Sequence, residues 1–333
     1  MKALRSHAVG GPESLVVDDV ALPEPGAGEV RIRVKAVGVN FPDTLIIRDL
    51  YQSKPERPFS PGIELAGVID ACGPGASRFT PGDRVIAIPS WGAMAEAIVL
   101  TEDRVHPLPD GIPDEIAAAL PLAFGTTLYA LRNRAGLQAG ETLLVLGAAG
   151  GVGLSAVEIG KAMGARVIGA VSSEDKRAAV LAAGADDCVI YGRPPFDKDA
   201  ARALTNALKT ACGPDGAHVI YDAVGGDYAE PALRAIAWEG RYLVIGFAAG
   251  IPKPPLNLTL LKSCDIRGVF YGGWIEREPT ELGPLLAELM QMVIDGRVKP
   301  LVSEVFPLAR GGEAIAVLAD RKALGKVVVR VAD

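Results

Sequence analysis

Two kinds of apolar pattern divide the chain. Up to about residue 122, short alternating or apolar runs recur, among them Val30 to Val37, Leu65 to Asp70 and Arg84 to Ile88. Pro/Gly turns separate them, at Pro23-Glu-Pro-Gly, Phe59-Ser-Pro-Gly, Gly73-Pro-Gly and Thr80-Pro-Gly-Asp. Short runs bounded by such turns predict a β-rich domain. From Asp114 the composition shifts to Ala-rich helix, and Phe124 to Asn133 continues it. Strands and helices then alternate, with strands predicted at 142–146, 165–171, 187–191, 217–222, 240–247 and 265–270. Alternation of this kind implies a parallel sheet covered by helices on both faces. Beyond Gly268 the pattern predicts a long helix from about Thr280 to Gly296, a shorter one from Gly311 to Leu318, and a strand from Gly325 to Val331. That last strand has no crossover partner after it and is expected to return to the β-rich domain. The expected fold is therefore α/β. A doubly wound parallel sheet covers 123–266, and a β-rich domain is made of 1–122 and 267–333.

Residues 141–153, Glu-Thr-Leu-Leu-Val-Leu-Gly-Ala-Ala-Gly-Gly-Val-Gly, give this sheet a chemistry. A buried-strand pattern ends at Gly147, turns through glycines and enters a helical pattern, Leu154 to Met163. A second apolar strand follows, Ala165 to Val171. This is the order of a dinucleotide-binding βαβ unit of the Rossmann type. The glycines allow the tight turn and the close approach of a pyrophosphate, whose charge sits at the positive end of the helix. A loop that merely packs helix on strand is the other reading.

The tip of the second strand bears on which dinucleotide is bound. An NAD-binding chain places Asp or Glu about 20 residues beyond the glycines, on the ribose 2′-hydroxyl. Here Gly169-Ala-Val-Ser-Ser173 carries no acid at its tip; Ser172, Ser173, Lys176 and Arg177 follow. Hydroxyls and cations suit a 2′-phosphate through charge-assisted hydrogen bonds, so the expected cofactor is NADPH. Glu174 and Asp175 fit the first turn of the next helix, with Ser173 as its cap. Lys176 and Arg177 also fit a solvated helix face.

Composition narrows the setting. The 333 residues, 49% hydrophobic and 22% charged, suit a globular enzyme with a large core. The net charge of −6 argues against nucleic acid or an anionic membrane as the main partner. No apolar run approaches the roughly 20 residues of a membrane span. The N-terminus lacks the apolar core of a signal peptide. Cys72, Cys188, Cys212 and Cys264 are scattered without pairing or metal spacing, and a cytoplasmic protein with reduced, mostly buried thiols is expected.

Several segments together resemble the medium-chain dehydrogenase/reductases, and within them the zinc-independent quinone oxidoreductase branch that includes zeta-crystallin. They are Ala36-Val-Gly-Val-Asn-Phe-Pro-Asp43, Pro61-Gly-Ile-Glu-Leu-Ala-Gly67, Pro81-Gly-Asp-Arg-Val85, the glycine loop, Tyr221-Asp-Ala-Val-Gly-Gly226 and Gly325-Lys-Val-Val-Val329. The resemblance runs nearly end to end and implies a Rossmann domain beside a GroES-like catalytic domain. Zinc-using relatives carry a cysteine after the Gly-Val/Ile of the first segment and a His-Glu pair in the second. Asn40 and Ile63-Glu64 stand there instead, and a catalytic zinc wants about three Cys, His or carboxylate ligands. The four-cysteine zinc lobe of those relatives is missing around Trp91-Gly-Ala-Met-Ala95, and His7, His106 and His218 have no ligand spacing. No metal is expected.

The resemblance implies cofactor contacts at Ala149, Gly150, Gly151 and Val152 for the pyrophosphate. Ser172, Lys176 and Tyr191 would lie round the adenosine phosphate, with Gly246 and Phe247 on the nicotinamide side and Phe270, Tyr271 and Lys326 as further contacts. Asn40 would lie by the nicotinamide ribose in the cleft; an Asn that bonds its own turn before Pro42 is the alternative. Asp43 and Glu64 match family positions and fit loop bracing equally. Tyr191 also fits a strand-end aromatic. Relatives often place Tyr five residues after the Asn, where this chain has Leu45. The nearby Tyr51 then becomes the candidate catalytic side chain, with a loop aromatic as its other reading and water as the alternative proton source. Trp91, Tyr271 and Trp274 fall where relatives border the acceptor, or serve as interdomain core.

The implied activity is NADPH-dependent hydride transfer, without zinc, to a small-molecule quinone or α,β-unsaturated carbonyl. A 2-enoyl thioester reductase, with Arg48, Lys54 and Arg57 as a basic patch for a CoA or carrier phosphate, is one alternative. A non-catalytic NADPH-binding protein is another. The resemblance further implies a homodimer or tetramer built by edge strands of the nucleotide domains, sought at Tyr242 to Phe247 and Ile251-Pro-Lys-Pro-Pro255.

Overall fold

The computed structural model describes residues 1–332. The chain packs as two compact units, one of residues 1–123, 286–294 and 300 onward, the other of 124–285 and 295–299.

The first unit is built on a seven-stranded sheet. Its strands run in the order Val302–Pro307, Lys326–Arg330, Glu29–Val39, Leu65–Cys72, Arg84–Ala87 and Val105–Pro107, with Ala97–Thr101 also pairing to Glu29–Val39. Period-two alternation produces this arrangement. Val30, Ile32 and Val34 turn into the core while Glu29, Arg31, Arg33 and Lys35 turn toward its rim. The last strand of the chain, Lys326–Arg330, pairs antiparallel with residues 36–39, so the C-terminus does return to the N-terminal sheet.

The second unit is a six-stranded parallel sheet in the order Asp187–Ile190, Arg166–Val171, Thr142–Leu146, Ala217–Asp222, Ile236–Val244 and Asp265–Gly268. All five residues of Thr142–Leu146 are buried, which is why that strand reads as a continuous apolar run rather than an alternation. The chain winds outward in one direction for three strands, then crosses back and winds the other way. The reversal falls between Thr142–Leu146 and Ala217–Asp222 and opens a crevice at their C-terminal ends.

Several boundaries differ from the sequence expectation. The helix after the glycine loop starts at Gly151 rather than Leu154. The strand expected at 240–247 runs Ile236–Val244, leaving Gly246 and Phe247 in the loop beyond it. It is also an interior strand; the edge is Asp265–Gly268, so Tyr242 to Phe247 is not an edge segment. Residues 267–285 and 295–299, expected with the β-rich domain, pack in the second unit. The cause is local: Asp265–Gly268 completes the six-stranded sheet, and Trp274 stacks on Tyr129 at 4.6 Å between ring centroids. The thiols are free, with Cys188, Cys212 and Cys264 buried and Cys72 partly so. Among the described residues no helix is long and apolar enough to cross a membrane.

One buried acid in this fold has a measurable consequence. Glu158, on the helix Gly151–Ala162, is 7% exposed and accepts a hydrogen bond from the Lys299 backbone at 2.7 Å. Burial pushes its pKa up from 4.5 to about 7 against that single donor. The folded state therefore holds the proton more tightly than the unfolded chain, so stability falls as pH rises from about 4.5 to about 7. Glu158→Gln keeps an acceptor for Lys299 and removes the charge. Thermal unfolding across that window should show a flatter pH dependence for the variant, with the difference at pH 8 on the order of 3 kcal/mol in its favour. Parallel curves would refute the assignment.

Candidate active site

The candidates for nucleotide binding are assembled at the crevice of the parallel sheet. Gly147 takes φ +69°, a conformation that favours glycine, and its N–H donates to the Ala170 carbonyl. A Cβ on Gly153 would lie 2.1 Å from the Gly147 carbonyl, so position 153 must be glycine for the helix to meet the turn. Gly150 is different, because a Cβ there would meet nothing nearer than 3.6 Å. Its surroundings are open, as a backbone that must admit a ligand requires. The 12-residue helix Gly151–Ala162 begins at this point, and its first-turn N–H groups lack partners within the helix. Gly150, Gly151 and Val152 thus form a partly exposed anion cradle, with Ala149 buried beneath them. Below the cradle, the Thr127 hydroxyl is shared with Ser155 at 2.6 Å and Tyr221 at 2.8 Å, all three buried, and Ser155 donates to the Val152 carbonyl.

The adenosine end lies at the tip of Arg166–Val171. Ser172 and Lys176 are both half-buried there. Partial burial and the positive charge of Arg193 depress the Lys176 ammonium below its ordinary pKa. Arg193 thus acts on the Lys176 charge, a second cation near this strand tip that sequence reading did not single out. It stands three residues past the strand Asp187–Ile190, whose tip lies beside that of Arg166–Val171, a pairing that sequence pattern does not record. Arg177 does not join them, since it donates to Glu174 at 3.0 Å and to the Cys188 carbonyl at 3.2 Å. Ser173 does occupy the N-cap of Glu174–Ala182, though its side chain makes no cap hydrogen bond. Tyr191 packs on Tyr228 at 4.6 Å between ring centroids, as a strand-end aromatic.

On the other side of the switch point, Asp222 shapes the loops. Its Oδ1 accepts from the N–H groups of Val224 and Gly225, both at 2.8 Å, and its Oδ2 from the Tyr242 hydroxyl at 2.5 Å. The Asp222 carbonyl accepts from Ile245 and Gly246, which fixes the turn that displays Phe247, half exposed. Phe270 is also largely exposed, whereas Tyr271 is buried beside Gly125, Tyr129 and Trp274.

The remaining candidates gather in the first unit, around a buried ion pair. Lys326 Nζ and Glu64 Oε1 are 2.7 Å apart, with side chains 3% and 0% exposed. Lys326 also donates to Asn40 Oδ1 at 2.7 Å and to the Val39 carbonyl at 3.0 Å, so all three of its protons are engaged. Asn40 Nδ2 donates to Glu64 Oε1 at 2.8 Å and to the Gly38 carbonyl at 3.1 Å. Glu64 Oε2 accepts from the Leu122 backbone. Asn40 begins the helix Phe41–Ile46, and the Asp43 carboxylate closes that end by accepting from the backbone N–H groups of Asn40 at 2.8 Å and Gly62 at 3.0 Å. Burial pushes the Asp43 pKa up to about 7, while those two donors and the Lys326 ammonium pull it down. Tyr51 packs against the same core, half-buried, its pKa raised by burial and by Asp43. Among the described residues, no group of three or more His, Cys, Asp or Glu side chains converges as a metal site.

Arg48 donates to the Thr44 carbonyl, and Arg57 to Asp49 at 2.8 Å and to the Ile47 carbonyl; Lys54 is exposed. Arg48 and Arg57 are thus drawn into their own loop rather than presented as a basic patch.

Both units have counterparts in known proteins. Residues 26–110 match the alcohol dehydrogenase GroES-like domain, and residues 151–288 match the zinc-binding dehydrogenase domain. A quinone oxidoreductase of Pseudomonas aeruginosa is 36% identical over 98% of this chain and 99% of its own. Quinone oxidoreductase-like protein 2 of Bos taurus is 35% identical, over 95% of this chain and 88% of its own. Among solved structures, that of Escherichia coli quinone oxidoreductase complexed with NADPH superimposes with a TM-score of 0.89 at 31% identity, covering 99% of this chain and 100% of that one. With a GroES-like domain, a Rossmann-like sheet and likeness over nearly its whole length, the chain belongs to the quinone oxidoreductase type of the medium-chain dehydrogenase/reductase family.

Proposed function

We propose that the protein is an NADPH-dependent oxidoreductase that delivers hydride, without zinc, to a quinone or an α,β-unsaturated carbonyl. The observation that carries this reading is the pairing of an open glycine cradle with Lys176 and Arg193 at a strand tip that bears no acid. Two positive charges and the Ser172 hydroxyl recognise a 2′-phosphate, where an acid would recognise a 2′-hydroxyl.

NADPH, when bound, supplies a hydride from its nicotinamide ring. Gly151 and Val152 hold the pyrophosphate through backbone N–H groups, Gly150, whose own N–H is bonded to the Gly147 carbonyl, leaves room for its approach, and Gly246 and Phe247 flank the nicotinamide side. Asn40 orients the nicotinamide ribose. Ion pairing argues against zinc at Glu64, because the Lys326 ammonium already lies 2.7 Å from the carboxylate and opposes a divalent cation there. Asn40 and Ile63 supply no thiolate or imidazole to compensate. With no Lewis acid, an acceptor whose conjugation spreads the incoming charge is the fitting substrate. Raised pKa keeps Tyr51 protonated at neutral pH, so it or water returns the proton that Leu45 cannot. The engagement of Arg48 and Arg57 within their loop weighs against a CoA thioester.

We also propose a homodimer through the true sheet edge, Asp265–Gly268. Exposed apolar side chains cluster along the sequence around it: Ile251, Leu256, Leu260, Leu261, Ile266 and Phe270. An open strand edge with such flanks is stabilised by pairing with a second copy.

Three outcomes test these readings. NADPH oxidation at 340 nm should be rapid with 1,4-benzoquinone, 9,10-phenanthrenequinone or an enone and slow with crotonyl-CoA; turnover with crotonyl-CoA alone would instead favour the thioester reductase. Lys176→Ala combined with Arg193→Ala should raise KM for NADPH by about a hundredfold, two charge-assisted bonds' worth, and barely change that for NADH. Equal effects on both cofactors would remove the 2′-phosphate assignment. Light scattering should give twice the 34.6 kDa chain mass for the native protein and a monomer for Leu260→Asp combined with Ile266→Asp; a native monomer would end the dimer reading.

A further inference from the structure

The ion pair Lys326–Glu64 is an expensive way to hold a fold together. Removing two charges from water costs more than their attraction returns in many proteins, and a well-packed apolar pair of similar volume is often as stable. Yet the surroundings are shaped for it. A Cβ on Gly38 would fall 2.3 Å from Glu64 Oε1 and 2.3 Å from the Ala118 carbonyl, so the neighbouring strand gives up a side chain to seat this carboxylate.

What the pair determines is the side chain of Asn40. Both Nδ2 protons are spent, one on Glu64 Oε1 at 2.8 Å and one on the Gly38 carbonyl at 3.1 Å. Of the two lone pairs on Oδ1, one takes a proton from Lys326 at 2.7 Å and the other is left over. A flipped amide would set its NH2 group against an ammonium and its oxygen against a carboxylate and a carbonyl. Asp43 fixes the backbone at the same residue by accepting the Asn40 N–H. Charge thus holds the amide in one orientation, with one acceptor site remaining and no donor.

We propose that Glu64 and Lys326 are positioning residues which lock Asn40 as a pure hydrogen-bond acceptor, selecting a ligand group that donates, such as a ribose hydroxyl or a carboxamide N–H. This rests on the reading of Asn40 as a cofactor-binding residue. The pair acts only through Asn40 and touches no ligand itself.

The lock is tested first in the free protein, independently of any cofactor. The Asn40 side-chain NH2 signals, identified by their loss in Asn40→Ala, should exchange slowly with solvent in the native protein and rapidly in Glu64→Gln and Lys326→Met. Rapid exchange in the native protein would overturn the lock. Dissociation constants for NADPH, read by its fluorescence, then test what the lock does. Glu64→Gln should weaken binding by about tenfold, the worth of one charge-assisted hydrogen bond. Asn40→Ala combined with Glu64→Gln should bind no worse than Asn40→Ala alone. Multiplying effects in the double variant would show that Glu64 acts independently of Asn40 and would overturn the proposal. If Glu64→Gln fails to fold, Lys326→Arg serves in its place: it should retain slow exchange and near-native affinity, whereas Lys326→Met should lose both. Failure of the native protein to bind NADPH at all, with Asn40 exchange still slow, would fault the cofactor reading and leave the lock intact.

Discussion

Burial of a parallel sheet on both faces leaves its strands nowhere to carry polar chemistry except their ends. Thr142–Leu146 is wholly buried, and its neighbours Arg166–Val171 and Ala217–Asp222 are buried over most of their length. Polar function is thereby pushed to where these strands stop: Gly147 after the first, Ser172 after the second, Asp222 at the end of the third. Each then solves a local problem of backbone satisfaction, and the solutions happen to face one crevice. Asp222 takes up two turn N–H groups and a tyrosine hydroxyl, and its carbonyl takes up two more N–H groups. The helix beginning at Gly151 leaves its first N–H groups for an anion.

The first unit meets the opposite difficulty, a charge placed inside. Lys326 arrives on the last strand of the chain and finds three acceptors, two of them on residues 39 and 40 and one on residue 64. No donor proton of Lys326 or the Asn40 amide is wasted, and the one acceptor site left open is on Asn40 Oδ1. Its members were expected as separate contacts or braces. They form one structure because the terminal strand pairs with residues 36–39.

What the sequence made legible follows from range. Strands with turns beside them, the glycine turn and the return of the final strand all rest on local pattern, and their positions agree with the structure to within a few residues. Arg193 and the partners of Lys326 escaped notice because they depend on contacts 17 to more than 200 residues apart, which no periodicity records. Strand order is another such property: nothing in Tyr242 to Phe247 says that a further strand will cover it, so local pattern does not separate this interior strand from an edge. Arg177 looked equivalent to Lys176 in sequence, but one step round a helix turned it toward Glu174 and Cys188.

The glycine at position 38 carries an implication for how such chains change over time. Its missing side chain, the carboxylate at 64, the ammonium at 326 and the amide at 40 occupy one shared volume and one shared charge balance. A lineage cannot exchange one of them freely. Loss of the acid would strand a buried ammonium, and a larger residue at 38 would evict the acid. Descendants that abandon the arrangement should therefore have altered all four positions together, and a chain found with only one altered should carry a compensating change in the same pocket.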